Sequence, residues 1–142
     1  METIINNTQE MQKIGKDLAK KIIRKGNKKA LIVGLEGELG SGKTTFIQGL
    51  AKGLGIEELI TSPTFVIMKR YNFPKGELYH IDCYRIDLKD LIELDFKEII
   101  NNPKNIVVIE WAEKIKDILP NNVIWMKFEY LDKNMRKVIY VP

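Results

Sequence analysis

One cysteine, one histidine and four arginines stand in a chain of 142 residues, and each scarcity closes off a class of chemistry. Cys83 has no second cysteine with which to form an internal disulfide, and it reads as a small buried thiol without a redox role. Cys83 and His80 together are too few to build a zinc site. The arginines, at 24, 70, 85 and 136, include only Arg85 beside a candidate site residue, and no segment offers the arginine-bearing lid that small-molecule kinases close over phosphates. No apolar run approaches the length of a membrane span. The start, METIINNTQE, is polar and lacks the apolar core of a signal peptide, so the expected location is the cytoplasm. Internal repeats, low-complexity tracts and flexible linkers are also missing.

What remains is the composition of a soluble globular protein, 44% hydrophobic and 30% charged. The length predicts a single domain over 1–142, with no room for a second catalytic domain or a large helical lid. A net charge of +4 permits contact with nucleic acid or an acidic partner without demanding it.

The chain is organised around residues 29–55, KALIVGLEGELGSGKTTFIQGLAKGLG. Leu31, Ile32 and Val33 open an apolar run that reaches Leu35 and reads as a buried strand. Gly37 to Thr44 then satisfies G-x-x-x-x-G-K-[ST], the spacing of a phosphate-binding loop. A triphosphate needs several backbone N–H groups aimed inward, through φ/ψ values that glycine adopts cheaply, and Gly37, Gly40 and Gly42 supply that freedom. Lys43 would set an ammonium against the β and γ phosphates, and the Thr44 hydroxyl would ligate Mg²⁺. Glu38, Leu39, Gly40, Ser41, Gly42, Lys43, Thr44 and Thr45 form the candidate nucleotide-binding run, Thr45 with a packing or capping role. Phe46, Ile47, Leu50, Ala51 and Leu54 give the following helix an apolar face, and Gly53 and Gly55 mark its end.

Around this centre the pattern predicts a short edge strand at Glu2–Ile5. A helix follows from about Thr8 to Lys25, capped by Asn7 and Glu10, with the stripe Met11, Ile14, Leu18 and Ile22 and an end at Gly26 and Asn27. Its other face is rich in lysine, which reads either as a solvated face or as an RNA contact. Hydroxyls in Thr61-Ser62-Pro63-Thr64 precede a strand at Phe65–Met68. Ser62 or Thr64 would approach the metal or γ phosphate there, or simply cap a turn. A turn over Tyr71–Gly76 leads into the strand Leu78–Arg85, whose alternation sets His80 and Asp82 on one face. Asp87 to about Ile100 reads as one or two short helices broken by Pro103, and Ala112–Leu119 as another. Val123–Leu131 and Arg136–Val141 form a terminal hairpin with nothing catalytic in it.

Two acids compete for the role usually held by one carboxylate at a strand end. An aspartate inside a half-apolar strand is costly unless paired, and a metal held through Thr44 would pair Asp82; a bridge to Arg85 or to a lysine is the plainer alternative. The run Ile106–Ile109 is fully apolar and delivers Glu110 at its tip, followed by Trp111. The division drawn here sets Asp82 on the metal or its water shell and Glu110 near the attacking water, with Lys43 as the third catalytic group. The reverse division, with Glu110 on the metal, stays open.

The ordered series GELGSGKTT, SPTF, HIDCYR and IEW resembles the bacterial TsaE (YjeE) ATPases of tRNA threonylcarbamoyladenosine synthesis, from about Thr8 to Trp111 and into the next helix. That resemblance implies an α/β fold, a P-loop NTPase-like three-layer sandwich with a mainly parallel central sheet and a C-terminal antiparallel hairpin. It further implies binding of ATP or ADP with Mg²⁺. ATP hydrolysis would then reset a complex with TsaB and TsaD that modifies adenosine 37 of tRNAs reading ANN codons, with tRNA met through that complex. Lys43 and Thr44 match the family's phosphate and magnesium residues, Asp82 its Walker B-like aspartate and Glu110 its essential acid; Cys83 stands where an aliphatic residue is expected. The alternatives are a small-molecule kinase and a nucleotide-gated binding module without useful turnover. A GTP switch is disfavoured because no Asn-Lys-x-Asp motif follows the loop.

Overall fold

The computed structural model describes residues 1–24, 28–58, 60–61 and 68–141. The predicted helix end at Gly26 and Asn27, the hydroxyls of Ser62 and Thr64 and most of the strand predicted at Phe65–Met68 lie outside the described residues. In chain order the elements are β1 (Glu2–Ile5), α1 (Thr8–Arg24), β2 (Leu31–Glu36), α2 (Lys43–Leu54), β3 (Met68–Phe73), β4 (Gly76–Asp82), α3 (Leu88–Glu93), α4 (Phe96–Asn101), β5 (Asn105–Glu110), β6 (Ile124–Tyr130) and β7 (Arg136–Val141). A run of 3₁₀ turns occupies Ala112–Ile118, where α-helix was expected, and Ile115 breaks its helical dihedrals.

The strands form one sheet in the order β1-β7-β6-β2-β5-β4-β3. Its centre is parallel, β2 pairing with both β5 and β6 and β5 with β4, while β1–β7, β6–β7 and β3–β4 are antiparallel. The fold is therefore the expected α/β arrangement of a mixed sheet with a parallel centre. The β6–β7 hairpin is more than a terminal appendage, because β6 continues the central sheet beside β2.

Two apolar layers cover the sheet. On one face, Val33, Leu35, Leu78 and Val108 pack with Phe46, Ile47 and Leu50 of α2 and Met11 and Leu18 of α1. On the other, Ile32, Ile81, Val107 and Ile109 pack with Leu91 of α3 and Phe96 and Ile99 of α4. Alternation along each strand divides its residues between the two layers, and β5 is buried at all six positions because both faces are covered.

Local chemistry accounts for most boundaries. Asn7 Oδ1 accepts from Glu10 N–H at 2.8 Å while Glu10 Oε2 accepts from Asn6 N–H at 2.8 Å, so α1 starts with a reciprocal cap shifted by one residue from the ideal box. Gly55, in the left-handed region at φ 91°, closes α2. Gly53 does not: it lies inside α2, where a Cβ would come within 2.6 Å of Ala19 Cβ, so its smallness serves the α1–α2 contact. The β3–β4 turn is also tighter than the predicted Tyr71–Gly76. Tyr71 pairs with Leu78 and Phe73 with Gly76, which leaves Pro74 and Lys75 to turn the chain. At the other end β4 stops at Asp82 rather than Arg85, because Asp82 Oδ1 accepts from Tyr84 N–H at 2.9 Å and bends the backbone.

Candidate functional site

Three parallel strands end side by side, and their register aligns the site. Leu35 of β2 is the partner of Glu110 of β5, and Glu110 is in turn the partner of Asp82 of β4. The glycine loop leaves the tip of β2 immediately beyond this row, so the loop and both acids converge at the carboxyl edge of the sheet. Gly37, Gly40 and Gly42 all carry positive φ (154°, 78° and 102°). A Cβ on Gly37 would approach Phe128 O to 2.6 Å, and one on Gly42 would strike the Met11 side chain at 2.5 Å.

Gly42 caps α2 with no side-chain hydrogen bond, so the loop opens directly onto the positive end of a helix. Ser41 Oγ is buried and, among the described residues, lacks a hydrogen-bond partner. Lys43 is 5% exposed; its Nζ donates to Gly37 O and lies 4.3 Å from the centroid of the Trp111 ring. Burial pushes the Lys43 ammonium below its usual range, and the charges of Glu110, Asp82 and Glu113 oppose that shift. Trp111 holds a left-handed backbone, φ 58°, and its ring also meets Tyr84 at 5.0 Å.

The acids differ in surroundings. Glu110 is 5% exposed, and its Oε2 lies 2.7 Å from Nε2 of His80, which is wholly buried one pleat back on β4. Asp82 is half-buried, and among the described residues it makes no ion pair with Arg85, whose side chain is exposed. A cavity of about 630 Å³ spreads from these groups, lined by Leu39, Gly40, Gly42, Lys43, Thr44, Thr45, Asp82, Glu110 and Trp111 of the predicted set and its neighbours. Of the predicted run, Glu38 does not line it, and Ser41 lies buried behind the loop.

The remaining walls escaped the sequence reading. Asn6, Asn7, Thr8 and Gln9, at the start of α1, form one side, and Lys133, Asn134 and Arg136 of the terminal hairpin form another. The hairpin, read from sequence as having nothing catalytic in it, thus touches the glycine loop: Arg136 Nε donates to Gly40 O at 2.8 Å, and Nη1 donates to the carbonyls of Asp132 and Met135 at 2.7 and 3.0 Å. Arg136, and not Arg85, is the arginine beside the loop. Its signal is non-local, since β7 reaches the loop only because β6 docks on β2. His80 did leave a signal, the period-2 alternation that puts it on the face of Asp82.

The donors suit a phosphate with a hard cation. Uncapped helix-terminal N–H groups, a buried orphan hydroxyl and a lysine match phosphate oxygens. Among the described residues no three His, Cys, Asp or Glu side chains could enclose a metal. Mg²⁺ does not need such a cage, because it is ordinarily held by one or two carboxylates together with substrate phosphates and water. Thr44, Asp82 and Glu110 fit that demand.

Residues 5–138 match the family described as "Threonylcarbamoyl adenosine biosynthesis protein TsaE". The tRNA threonylcarbamoyladenosine biosynthesis protein TsaE of Haemophilus influenzae is 38% identical over 124 residues, 86% of this chain and 77% of that protein. The protein of the same name from Aquifex aeolicus is 35% identical over 139 residues, covering 96% and 92%. The crystal structure of Bacillus subtilis YdiB superposes with a TM-score of 0.75 at 29% identity, over 99% of this chain and 83% of that one. A match spanning β1 to β7, across every strand that builds the site, shows that the chain belongs to the TsaE family.

Proposed function

We propose that this chain serves in tRNA threonylcarbamoyladenosine synthesis by binding ATP with Mg²⁺ and hydrolysing it, in a complex with TsaB and TsaD. The observation that carries the reading is the row Leu35, Glu110, Asp82 at the aligned strand ends, with Lys43 and the glycine loop beside it. The cavity volume is also within the usual range for small-molecule sites.

In this reading the α2 N-terminus, Ser41 and Lys43 hold the β and γ phosphates, and Lys43 exchanges Gly37 O and the Trp111 ring for phosphate oxygens. Thr44 and Asp82 would hold Mg²⁺ beside the nucleotide, where the cation would supply neutralisation of phosphate charge. Glu110 orients the attacking water and accepts its proton. The start of α1 and the hairpin turn enclose the rest of the nucleotide.

Hydrolysis by the chain alone is expected to be slow. Arg136 is the arginine that lines the cavity among the described residues, and its hydrogen bonds go to backbone carbonyls, which makes it a clamp on the loop. A stabilising arginine supplied by another subunit can raise turnover by roughly 10³ to 10⁵. The test measures Mg²⁺-dependent ATP hydrolysis by the chain alone and with TsaB and TsaD. A low rate that rises only when both are present is expected. A rate indifferent to both partners would refute the coupled ATPase, and intact function in Glu110→Gln would favour the nucleotide-gated module.

A further inference from the structure

His80 is the one histidine of the chain, wholly buried, and nothing in the hydrolysis scheme above uses it. Its Nε2 lies 2.7 Å from Glu110 Oε2, and its Nδ1, also buried, has no hydrogen-bond partner among the described residues. A polar ring sealed in an apolar layer normally has both nitrogens satisfied, since an unmet donor or acceptor there is costly. Here one nitrogen is left unmet, so the contact with Glu110 is the single polar reason for a histidine at this position. Packing alone would be served by a leucine.

The direction of the bond follows from the chemistry. An ionised carboxylate only accepts, so Nε2 carries the hydrogen of this bond. One carboxylate oxygen, Oε2, is then tied to the sheet behind it. The carboxylate is planar and its rotation about the terminal bond is soft. Fixing one oxygen therefore fixes where the other points, and Glu110 lines the cavity. The imidazole is enclosed, with His80 wholly buried, and its strand is held in register with β5 on either side of the contact, His80 with Val108 and Asp82 with Glu110.

We infer that His80 is the positioning residue of the site: its Nε2–H holds Glu110 Oε2 so that the remaining carboxylate oxygen faces the phosphate end of the cavity. This role rests on the hydrolysis reading. It acts through Glu110, so its loss should lower kcat and leave nucleotide affinity alone. Hydrogen-bond partners that orient metal ligands carry roughly a 10- to 100-fold effect on affinity or activity, and a loss of that order is expected for a partner that orients Glu110.

The test compares His80→Leu, His80→Gln and His80→Asn with the wild type, measuring kcat, KM and ATP affinity with the partner subunits present. The Gln amide nitrogen reaches the place of Nε2, whereas that of Asn reaches only the place of Nδ1. His80→Leu and His80→Asn should lose about 10- to 100-fold in kcat with KM and affinity within about twofold, and His80→Gln should recover most of the loss. In a Glu110→Gln background His80→Leu should cost nothing further. Because the chain has one imidazole, its ring spectrum is unambiguous. The wild type should show an Nε2-bound proton protected from exchange, and Glu110→Ala should release it.

A folded His80→Leu with full kcat, Gln and Asn variants that perform alike, or an Nε2 proton in free exchange would each overturn the role. If the variants do not fold, the ring proton decides. A wild type that hydrolyses no ATP even with both partners overturns the hydrolysis reading itself and takes the role with it, an outcome distinct from an active wild type indifferent to His80.

Discussion

Asp82 and Glu110 are register partners across the parallel β4–β5 pair, yet Glu110 is buried against His80 while Asp82 is half-exposed beside the turn at Tyr84. Two carboxylates so close thus sit in different surroundings, which is the ground for the division of roles proposed above. Glu110→Gln should lower ATP turnover by about 10² to 10⁴, the usual worth of a positioned base, and leave nucleotide binding intact. Asp82→Asn should instead raise the Mg²⁺ concentration needed for half-maximal rate. Steady-state kinetics over a Mg²⁺ titration separates the two, and matching effects would remove the division.

Lys43 rests 4.3 Å from the centroid of the Trp111 ring while bonded to Gly37 O. A triphosphate competes for the same ammonium, and cation–ring attraction is worth only about 0.5–2 kcal/mol. Adding Mg²⁺·ATP to a Trp125→Phe variant, which leaves Trp111 as the only indole, should therefore change the fluorescence. Lys43→Ala should abolish both the change and measurable binding.

How much of this was legible in sequence depended on whether the cause was local. The glycine loop, the cap at Asn7, the apolar run Ile106–Ile109 ending in Glu110 and the face shared by His80 and Asp82 all follow from spacing along one segment, and all are found, the strand starting one residue earlier at Asn105. The misreadings share the opposite cause. Gly53 looked like a helix stop because the α1 backbone that needs it small lies more than 30 residues away in sequence. Arg136 looked idle because its partner, Gly40, is 96 residues distant and meets it only through the β6–β2 pairing.

Cys83 tests the sequence reading of an inert thiol. It is fully buried, and burial pushes the thiol up to about 12, with Asp82 and Glu113 adding to the shift. At pH 8 the thiolate fraction is on the order of 10⁻⁴, and the thiolate is the reactive form. Iodoacetamide should leave the native protein unmodified by mass spectrometry and label it fully in denaturant. Rapid labelling of the folded chain would show that β4 opens at its end.

Gly49 lies where α2 passes close to the backbone of α1. A Cβ there would come within 2.1 Å of Gln12 O and 2.6 Å of Gln12 Cα, both backbone atoms that cannot turn aside. Alanine gains up to about 1 kcal/mol in helix propensity over glycine. Overpacking a rigid contact costs typically 1–3 kcal/mol. Gly49→Ala should therefore lower the urea midpoint, and a rise in midpoint would mean that the helices separate without cost.

Arg136 ties the terminal hairpin to the glycine loop by one hydrogen bond to the Gly40 carbonyl, is held by two more to carbonyls of the hairpin turn, and its guanidinium also lies 4.4 Å from the Tyr130 ring. Lysine cannot reproduce that fork, because its ammonium is a point donor on a flexible stem. Arg136→Ala should free the loop at Gly40 and unfasten the cavity wall formed with Lys133 and Asn134, and Arg136→Lys should behave much like it. Each hydrogen bond from a charged donor is worth about 1.5–3 kcal/mol at most, and the exposed setting here lowers that figure. Nucleotide affinity should then fall by roughly tenfold, the equivalent of about 1.4 kcal/mol. Calorimetric titration with ATP and ADP checks this. A loss confined to kcat, with both affinities unchanged, would show instead that Arg136 leaves its carbonyls and joins the reaction.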